Sequence, residues 1–428
     1  IDTLMGANNL ALLLFRQGKL TEAEALYREA VEGRRVALGA KHSETLSSIN
    51  NLASLLKGKR EVNEALALYR EALEGRRETL GPNHYQTISS INDLGALLKA
   101  MGKRDEAEPL YREALEGCME HLGAKHKHTL ICMNNLAVLF EESNQLEEAE
   151  KMFRETLKGR REVLSDTHVH TVMSMSNLAN VLMKRGRLKE AETLHREALG
   201  VRRKHLGPLN RNTLSSISNL AHVLDTMGRK SQAAAENETQ REEAAARMDE
   251  AEELYREAAG GFRKQLGVQD PATLASINNL AGMLQAKGKV GEAETLLREV
   301  VKVNRETQGP RNHLTLISIN NLAVFLRGQK KLDEAEPLFH EALEGYRETL
   351  GEKNEKALMS LCNLAVLLEL RGSLEDAEQL FRKALDGFRE VCGPNSRQHR
   401  DALRWLKGVQ EKLTQAGVEE LPGKITSL

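Results

Sequence analysis

The chain has 428 residues, of which 29% are charged and 40% hydrophobic, so we expect a buried core rather than disorder. Its formal net charge of -1 argues against a general nucleic-acid binder and against polybasic attachment to a membrane. No stretch reaches the ~18 consecutive apolar residues that a membrane span needs. We therefore expect no nucleic-acid partner and no direct membrane insertion.

A repeat of 42 residues runs through almost the whole sequence. The tetrapeptide "NNLA" begins at Asn8, Asn50 and Asn134, and close variants hold the same place in the other units. The step is constant except for one of 60 residues, between Ser218 and Asn278, which indicates an insertion of 18 residues. Nine units result, covering residues 1–393.

Each unit is predicted to form two antiparallel helices. In the second unit, Leu46, Ile49 and Leu52 recur at helical spacing, and Ala65 and Tyr69 begin a second apolar stripe. A small residue holds one place in every second helix, which predicts close packing of each pair: Ala23, Ala65, Ala107, Ala149, Ala191, Ala251, Ala293, Ala335 and Ala377. Because no unit can bury both faces alone, stacked units are expected to share one continuous core.

Glycine is expected to form the turn inside each helix pair, since it adopts the left-handed conformation at low cost. The glycines in this register are Gly18, Gly102, Gly186, Gly228, Gly288 and Gly372. Asn144 can replace glycine there. Arg60 and Lys330 break the register, which predicts that their turns shift towards Gly58 and Gly328.

The insertion is placed at residues 230–247, where Ala, Glu, Gln and Arg dominate. Thr239 followed by Glu242 matches a capping box, so we expect the second helix of the sixth unit to begin near Thr239 and run to about Leu266. A flexible loop is the alternative for this segment. After the ninth unit, residues 394–415 are predicted to form a capping helix, and residues 416–428 a flexible tail.

Motifs of catalysis are missing from the sequence. It contains no nucleotide-binding glycine loop, no GxSxG elbow and no HExxH pair, so we expect no enzymatic activity, no cofactor and no metal site. His42, His84, His126 and His168 recur once per unit, roughly 10 Å apart at ordinary helix packing, which is too far to share a metal and favours a structural role.

Paired arginines recur late in the second helices, at Arg34/Arg35, Arg76/Arg77 and Arg160/Arg161. Ion pairs with Glu32, Glu74 or Glu78, one helical turn away, are the favoured interpretation, and phosphate binding is the alternative.

Asparagine fills one slot in the first helix of almost every unit, although it costs a helix interior about 0.5 kcal/mol against alanine. In the third unit Asp93 takes the slot, and its neighbour Asn92 is the candidate there. The candidate peptide-binding residues are Asn9, Asn51, Asn92, Asn135, Asn177, Asn219, Asn279, Asn321 and Asn363. Their amides could bridge to the neighbouring unit, or they could bond the backbone of an extended peptide. The two roles can coexist.

The pattern "LxxxNNLAxLLxxxGKLxEAExLYREA", found from Leu4 onwards, resembles the tetratricopeptide repeats of kinesin light chains and their relatives, and the resemblance covers about residues 4–393. It implies an all-α, right-handed superhelical solenoid of antiparallel helix pairs with a C-terminal capping helix. In similar repeats the first helices line a concave groove, and an asparagine at this slot contacts the backbone of bound peptide.

The sequence thus predicts a non-catalytic scaffold that docks an extended peptide or unstructured segment of one or more protein partners. The alternative is a structural subunit that clasps folded neighbours in a larger complex. Four cysteines without a CxxC pair indicate the cytoplasm or another reducing intracellular compartment. The opening residue, Ile1, leaves open whether a targeting peptide precedes it.

Overall fold

The computed structural model describes residues 2–419, with side chains described through residue 415. Nineteen helices and short turns account for these residues, which contain no strand. The helices are α1 Asp2–Arg16, α2 Leu20–Leu38, α3 Ser43–Gly58, α4 Val62–Leu80, α5 Tyr85–Ala100, α6 Arg104–Leu122, α7 Lys127–Glu142, α8 Leu146–Leu164, α9 Val169–Lys184, α10 Leu188–Leu206, α11 Arg211–Ala233, α12 Glu238–Leu266, α13 Pro271–Ala286, α14 Val290–Gln308, α15 His313–Gly328, α16 Leu332–Leu350, α17 Glu355–Arg371, α18 Leu374–Cys392 and α19 Arg397–Glu419.

The helices group into two compact units, residues 1–205 and residues 206–428. Within each unit, a second helix packs both on its own partner and on the first helix of the next pair, as α4 does on α3 and α5. Every alanine at the small-residue position of the second helices is fully buried. The prediction of an all-α repeat solenoid is therefore confirmed.

From α3 to α17, each first helix begins after a side chain that caps its N-terminus. The Nδ1 atoms of His42, His84, His126 and His168 accept hydrogen bonds from the backbone N–H two residues further on, at 3.2–3.3 Å. In later pairs the same position is held by Asn210, Asp270, Asn312 and Asn354, which cap in the same way. The recurring histidines therefore have the structural role that their spacing favoured.

The turns inside the helix pairs stay in register where a shift was predicted. Gly186 has a φ of 80°, as expected, but Arg60 and Lys330 themselves take positive φ, at 67° and 59°. Gly58 and Gly328 end their helices instead of forming the turn. The predicted shift is wrong, because the three-residue connection keeps its length and imposes the left-handed conformation on whatever residue occupies the slot.

The insertion lengthens both helices of the sixth pair. Helix α11 continues to Ala233, and α12 begins ten residues before the corresponding start in other pairs, at Glu238. Its N-cap is Asn237, which accepts from the Gln240 N–H at 2.9 Å, so the predicted capping box at Thr239 is wrong. Gly228 is also misassigned as a turn residue: it is buried within α11, where an added Cβ would lie 2.5 Å from the Met248 Cγ.

Helix α19 packs on α18, with the Trp405 and Phe381 ring centroids 6.1 Å apart. It occupies the position of the expected cap, and its backbone is helical to Glu419, four residues beyond the predicted end of the cap at residue 415. The rest of the predicted tail, residues 420–428, lies outside the described residues.

The paired arginines also connect consecutive helix pairs, a role that the sequence-based prediction did not include. The first arginine of each pair is buried and contacts the next helix pair. The Nη1 of Arg34, for example, donates to the Ser48 Oγ at 2.7 Å. The second forms an ion pair with a glutamate 36 residues away, as in Arg35 with Glu71 at 2.7 Å. The predicted ion pair of Arg35 with Glu32 on the same helix is also present, at the longer distance of 3.9 Å. These arginines therefore connect consecutive pairs in addition to the turns of one helix.

Candidate functional site

Within each of the two units, the odd-numbered helices form one face, called the A face of that unit below. Neighbouring members contact each other directly, α1 with α3, α5 with α7 and α7 with α9 in the first unit, and α15 with α17 in the second. The candidate asparagines lie near the middle of these helices, and all are half-buried or exposed. Five belong to residues 1–205, namely Asn9, Asn51, Asn92, Asn135 and Asn177; four belong to residues 206–428, namely Asn219, Asn279, Asn321 and Asn363.

Several of these amides bridge to the preceding pair. The Asn135 Nδ2 donates to the Asn92 Oδ1 at 3.0 Å, and the Asn177 Nδ2 donates to the Asn134 Oδ1 at 3.2 Å. The same bond joins Asn51 to Asn8 at 3.4 Å and Asn363 to Asn320 at 3.0 Å. The asparagine column thus includes a ladder of hydrogen bonds between consecutive first helices, as the structural alternative required.

The ladder leaves part of the Asn135 and Asn177 amides unused, whereas the Asn92 Nδ2 also donates to the Ile88 carbonyl at 3.0 Å. A carboxamide carries two N–H donors and an acceptor oxygen, and each ladder bond takes one donor from the later residue. Asn135 and Asn177 are only half-buried, so their remaining donor and their Oδ1 are partly accessible on the A face. An extended peptide backbone presents alternating donors and acceptors that match such a pair of groups.

The ladder changes in some pairs. Asn50 donates to the Asp93 Oδ2 at 3.0 Å; burial raises the pKa of Asp93, although this hydrogen bond opposes the effect. In the second unit, the Ser218 hydroxyl and the Asn278 Oδ1 have no hydrogen-bond partner within the described part of the chain. Asn9 and Asn279 are exposed rather than half-buried. The asparagine column is therefore most regular from Asn92 to Asn177.

Apolar side chains flank this regular part. Ile131 and Met173 occupy equivalent positions one turn before Asn135 and Asn177 and are 38% and 43% exposed. The sequence-based reasoning missed them, although serine holds the position in the second and third pairs, at Ser47 and Ser89. An alignment of the repeats would have shown that apolar residues replace serine at this position in the fourth and fifth pairs.

A cleft of about 250 Å³ opens beside Ile131, between the N-terminal ends of α7 and α9 and the C-terminal end of α8. Its wall is mainly aliphatic, and cationic or imidazole groups surround it; the lining residues are Lys127, Leu130, Ile131, Arg160, Val163, Leu164, His168 and His170. Burial, the Arg160 charge and His168 lower the pKa of His170. The cleft can take an apolar side chain whose neighbour carries negative charge.

Metal and membrane chemistry find no support in residues 2–419. Residues 2–415, whose side chains are described, contain no group of three or more His, Cys, Asp or Glu side chains that could hold a metal ion. None of the helices in residues 2–419 is long and apolar enough to cross a bilayer.

Sequence profiles described as "Tetratricopeptide repeat" match most of the chain. One profile matches residues 2–78, 44–120, 91–162, 242–306 and 314–390, and another matches residues 171–208. A search among curated proteins found no significant match.

Several solved structures are similar. The nearly identical TPR-like repeats described for a kinesin light chain of Podosopora anserina share 24% identity, cover 52% of this chain and 96% of their own, and give a TM-score of 0.43. BtubC (BKLC) from P. vanneervenii shares 22% identity over 59% of this chain and 95% of its own, with a TM-score of 0.45. The apo quorum sensor NprR from B. thuringiensis shares 13% identity over 90% of this chain and 99% of its own, with a TM-score of 0.56, a likeness of fold alone. Because the profiles match well over half of its residues, the chain belongs to the tetratricopeptide-repeat family.

Proposed function

We propose that the A face of residues 1–205 docks an extended peptide or an unstructured segment of a partner protein. The tetratricopeptide repeat is in general a non-catalytic interaction scaffold, which supports the broader assignment. The observation that carries the finer one is the pair of half-buried amides of Asn135 and Asn177, each with hydrogen-bonding capacity beyond its ladder bond. A purely structural ladder does not require this capacity to remain accessible.

The cleft beside Ile131 supplies an anchor for such a peptide. Its volume of about 250 Å³ suits a large apolar side chain, and Lys127 and His170 stand at its border. A peptide lying across α7 and α9 would place its backbone against Asn135 and Asn177 and one side chain in the cleft. Burial of that side chain contributes roughly 1.5–3 kcal/mol, while the amides fix the direction and register of the backbone.

All four cysteines are free thiols in the structure. This supports our proposal that the chain works in a reducing compartment. The A face is then available to partners of that compartment, either alone or within a larger complex.

Selection from a displayed library of random dodecapeptides on the purified chain tests the docking proposal. The affinity of a selected peptide is then measured by fluorescence anisotropy on the wild type and on the double variant Asn135→Ala/Asn177→Ala. Each lost amide removes ~0.5–1.5 kcal/mol, so the double variant should bind about 5- to 150-fold more weakly. Asn363→Ala is the matched control, because it breaks the same ladder bond in residues 206–428 and should leave the affinity unchanged.

The structural-subunit alternative predicts a different outcome. If the double variant melts at a lower temperature but binds selected peptides with unchanged affinity, the amides serve only the solenoid, and the docking proposal is wrong. Partners would then contact the even-numbered helices or the edges of the array.

A further inference from the structure

One buried hydrogen bond recurs between consecutive helix pairs of the first unit. A buried arginine Nη1 donates to a serine Oγ fourteen residues further along, on the first helix of the next pair. The examples are Arg34 to Ser48 at 2.7 Å, Arg76 to Ser90 at 2.6 Å and Arg160 to Ser174 at 2.7 Å. The bond ties the end of one pair to the beginning of the next.

In the third pair both partners are replaced together. Cys118 holds the arginine position and Cys132 the serine position, and their sulfur atoms lie 3.8 Å apart. Both side chains are fully buried. At this one repeat, two facing thiols replace the arginine and the serine, whereas the repeats before and after it keep the arginine-serine bond. This joint replacement indicates that the two cysteines act as a pair.

We propose that Cys118 and Cys132 are a redox-sensitive thiol pair that a peroxide converts into a disulfide joining α6 to α7. A disulfide needs its sulfur atoms about 2.05 Å apart, so the two sulfurs must approach by roughly 1.8 Å. Side-chain rotation and a small shift of one helix end can supply this displacement. The bond would replace the missing arginine-serine contact between the third and fourth pairs by a covalent one.

The two thiols have different roles in the reaction. Hydrogen bonds from Cys118 and from the Asn92 amide lower the pKa of Cys132, although burial opposes them, and the same thiol contact together with burial raises the pKa of Cys118. Cys132 therefore attacks first. Its thiolate displaces hydroxide from the peroxide and becomes a sulfenic acid. The Cys118 sulfur then attacks the sulfenic sulfur, the S–S bond forms, the S–O bond breaks, and water leaves; two thiols and one hydrogen peroxide yield one disulfide and two waters.

Burial makes the reaction slow but does not prevent it. Repeats contact only their neighbours, so local opening between two pairs exposes the buried thiols without unfolding the whole chain. We expect oxidation on the time scale of minutes to hours rather than seconds.

The disulfide would also affect the A face. The Asn92 Nδ2 lies 3.4 Å from the Cys132 Sγ, and the Asn92 Oδ1 accepts the ladder bond from Asn135. Movement of the Cys132 sulfur towards Cys118 withdraws it from Asn92, whose Nδ2 then keeps only its bond to the Ile88 carbonyl at 3.0 Å, and this loosens the regular part of the ladder. This consequence rests on the proposed function, because it matters only if peptides dock there, and it predicts weaker peptide binding by the oxidised protein.

The test uses the full chain carrying Cys392→Ser, which removes a thiol that is not fully buried. The reduced protein is treated with hydrogen peroxide; free thiols are counted, and cross-linked peptides are mapped by mass spectrometry. Loss of two of the three remaining thiols, with a Cys118–Cys132 cross-link that dithiothreitol reverses, is the expected result. Retention of all three thiols, or oxidation to sulfinic acid without a cross-link, would overturn the proposal.

The chain itself offers the matched control. Cys118→Arg/Cys132→Ser, in the same background, restores the recurring arginine-serine pair and should lose no thiol under peroxide. If its circular dichroism shows that it does not fold, Cys118→Ser serves instead and should form no internal cross-link. Peptide affinity is measured before and after oxidation. If the cross-link forms but the peptide affinity does not change, the redox-sensitive thiol pair is supported and its effect on docking is excluded. If no peptide can be selected at all, that result counts against the proposed function and not against the thiol pair.

Discussion

The buried carboxylate of Glu252 has a strongly lowered pKa. Replacement of Glu252 by glutamine tests how the sixth and seventh helix pairs are held together. The side chain is 7% exposed on α12 and contacts Arg256 on the same helix. Lys287 and Lys289, from the turn between α13 and α14, complete the site, the latter at 2.6 Å. Burial alone would raise the pKa of Glu252, but hydrogen bonds from these three cations lower it to about 2.

The magnitude follows from this pKa. The difference from the ordinary value of 4.5 corresponds to about 3 kcal/mol of stability at neutral pH. Because the folded-state pKa lies below the unfolded one, this contribution is complete above pH 4.5 and is lost as the pH falls towards 2. Glu252→Gln should therefore destabilise the sixth and seventh pairs by up to about 3 kcal/mol at pH 7 and by progressively less in acid.

Hydrogen exchange at pH 7 measures the local effect. Amides of α12, α13 and α14 should exchange up to about 100-fold faster in Glu252→Gln, while amides in distant pairs should not change. Glu292→Gln is the control, because Glu292 contacts the same Arg256 at 2.6 Å but has a 44% exposed side chain, and such pairs contribute less than ~1 kcal/mol. Equal effects of the two substitutions, or a loss in thermal stability that does not shrink between pH 7 and pH 3, would refute this reasoning.

Three further predictions concern stability. Ser165 has a φ of 94° at a position where the other inter-pair loops carry glycine, so Ser165→Gly should raise local stability by about 1 kcal/mol and Gly123→Ser should lower it by as much, measured by hydrogen exchange; the same sign for both would contradict the strain argument. Burial raises the pKa of Asp93, so Asp93→Asn should raise the melting temperature at pH 7, and the gain should vanish as Asp93 becomes protonated in acid; a loss at pH 7 would count against it. Burial and, to a smaller extent, Arg160 lower the pKa of His170, so the neutral imidazole contributes fully to the stability of the fold above pH ~6.5 and loses this contribution below that pH. His170→Gln should therefore flatten the pH dependence of the melting temperature between pH 7 and pH 5. An unchanged slope would exclude His170 as its cause.

Repeat periodicity predicted most of the helices because each unit copies the same apolar spacing. Predictions failed where a local rule competed with the repeat. Arg60 adopts a left-handed conformation that favours glycine because the connection of its hairpin has a fixed length. In the sixth pair, the residues of the insertion continue both helices. The turn therefore lies between Ala233 and Glu238 instead of at Gly228, and Asn237 caps the helix that follows it.

Contacts between consecutive helix pairs could not be predicted from the sequence. The ion pair of Arg35 with Glu71 spans 36 residues, whereas helical spacing favours partners three or four residues away. The asparagine column could be identified as unusual from helix propensity alone, but only the structure shows that Asn135 donates to Asn92. The thiol pair formed by Cys118 and Cys132 emerges only when the arginine-serine bonds of the other pairs are seen beside it.

Photo-cross-linking tests the docking of peptides on the A face most directly. A benzophenone amino acid is introduced at Met173, next to the amide of Asn177, and in a second variant at Lys151, an exposed residue of α8. Irradiation with a selected, labelled peptide should attach the label to the Met173 variant, and excess unlabelled peptide should suppress the attachment. The Lys151 variant should remain unlabelled. Labelling at Lys151 without labelling at Met173 would contradict the account, because the peptide would then lie against the even-numbered helices.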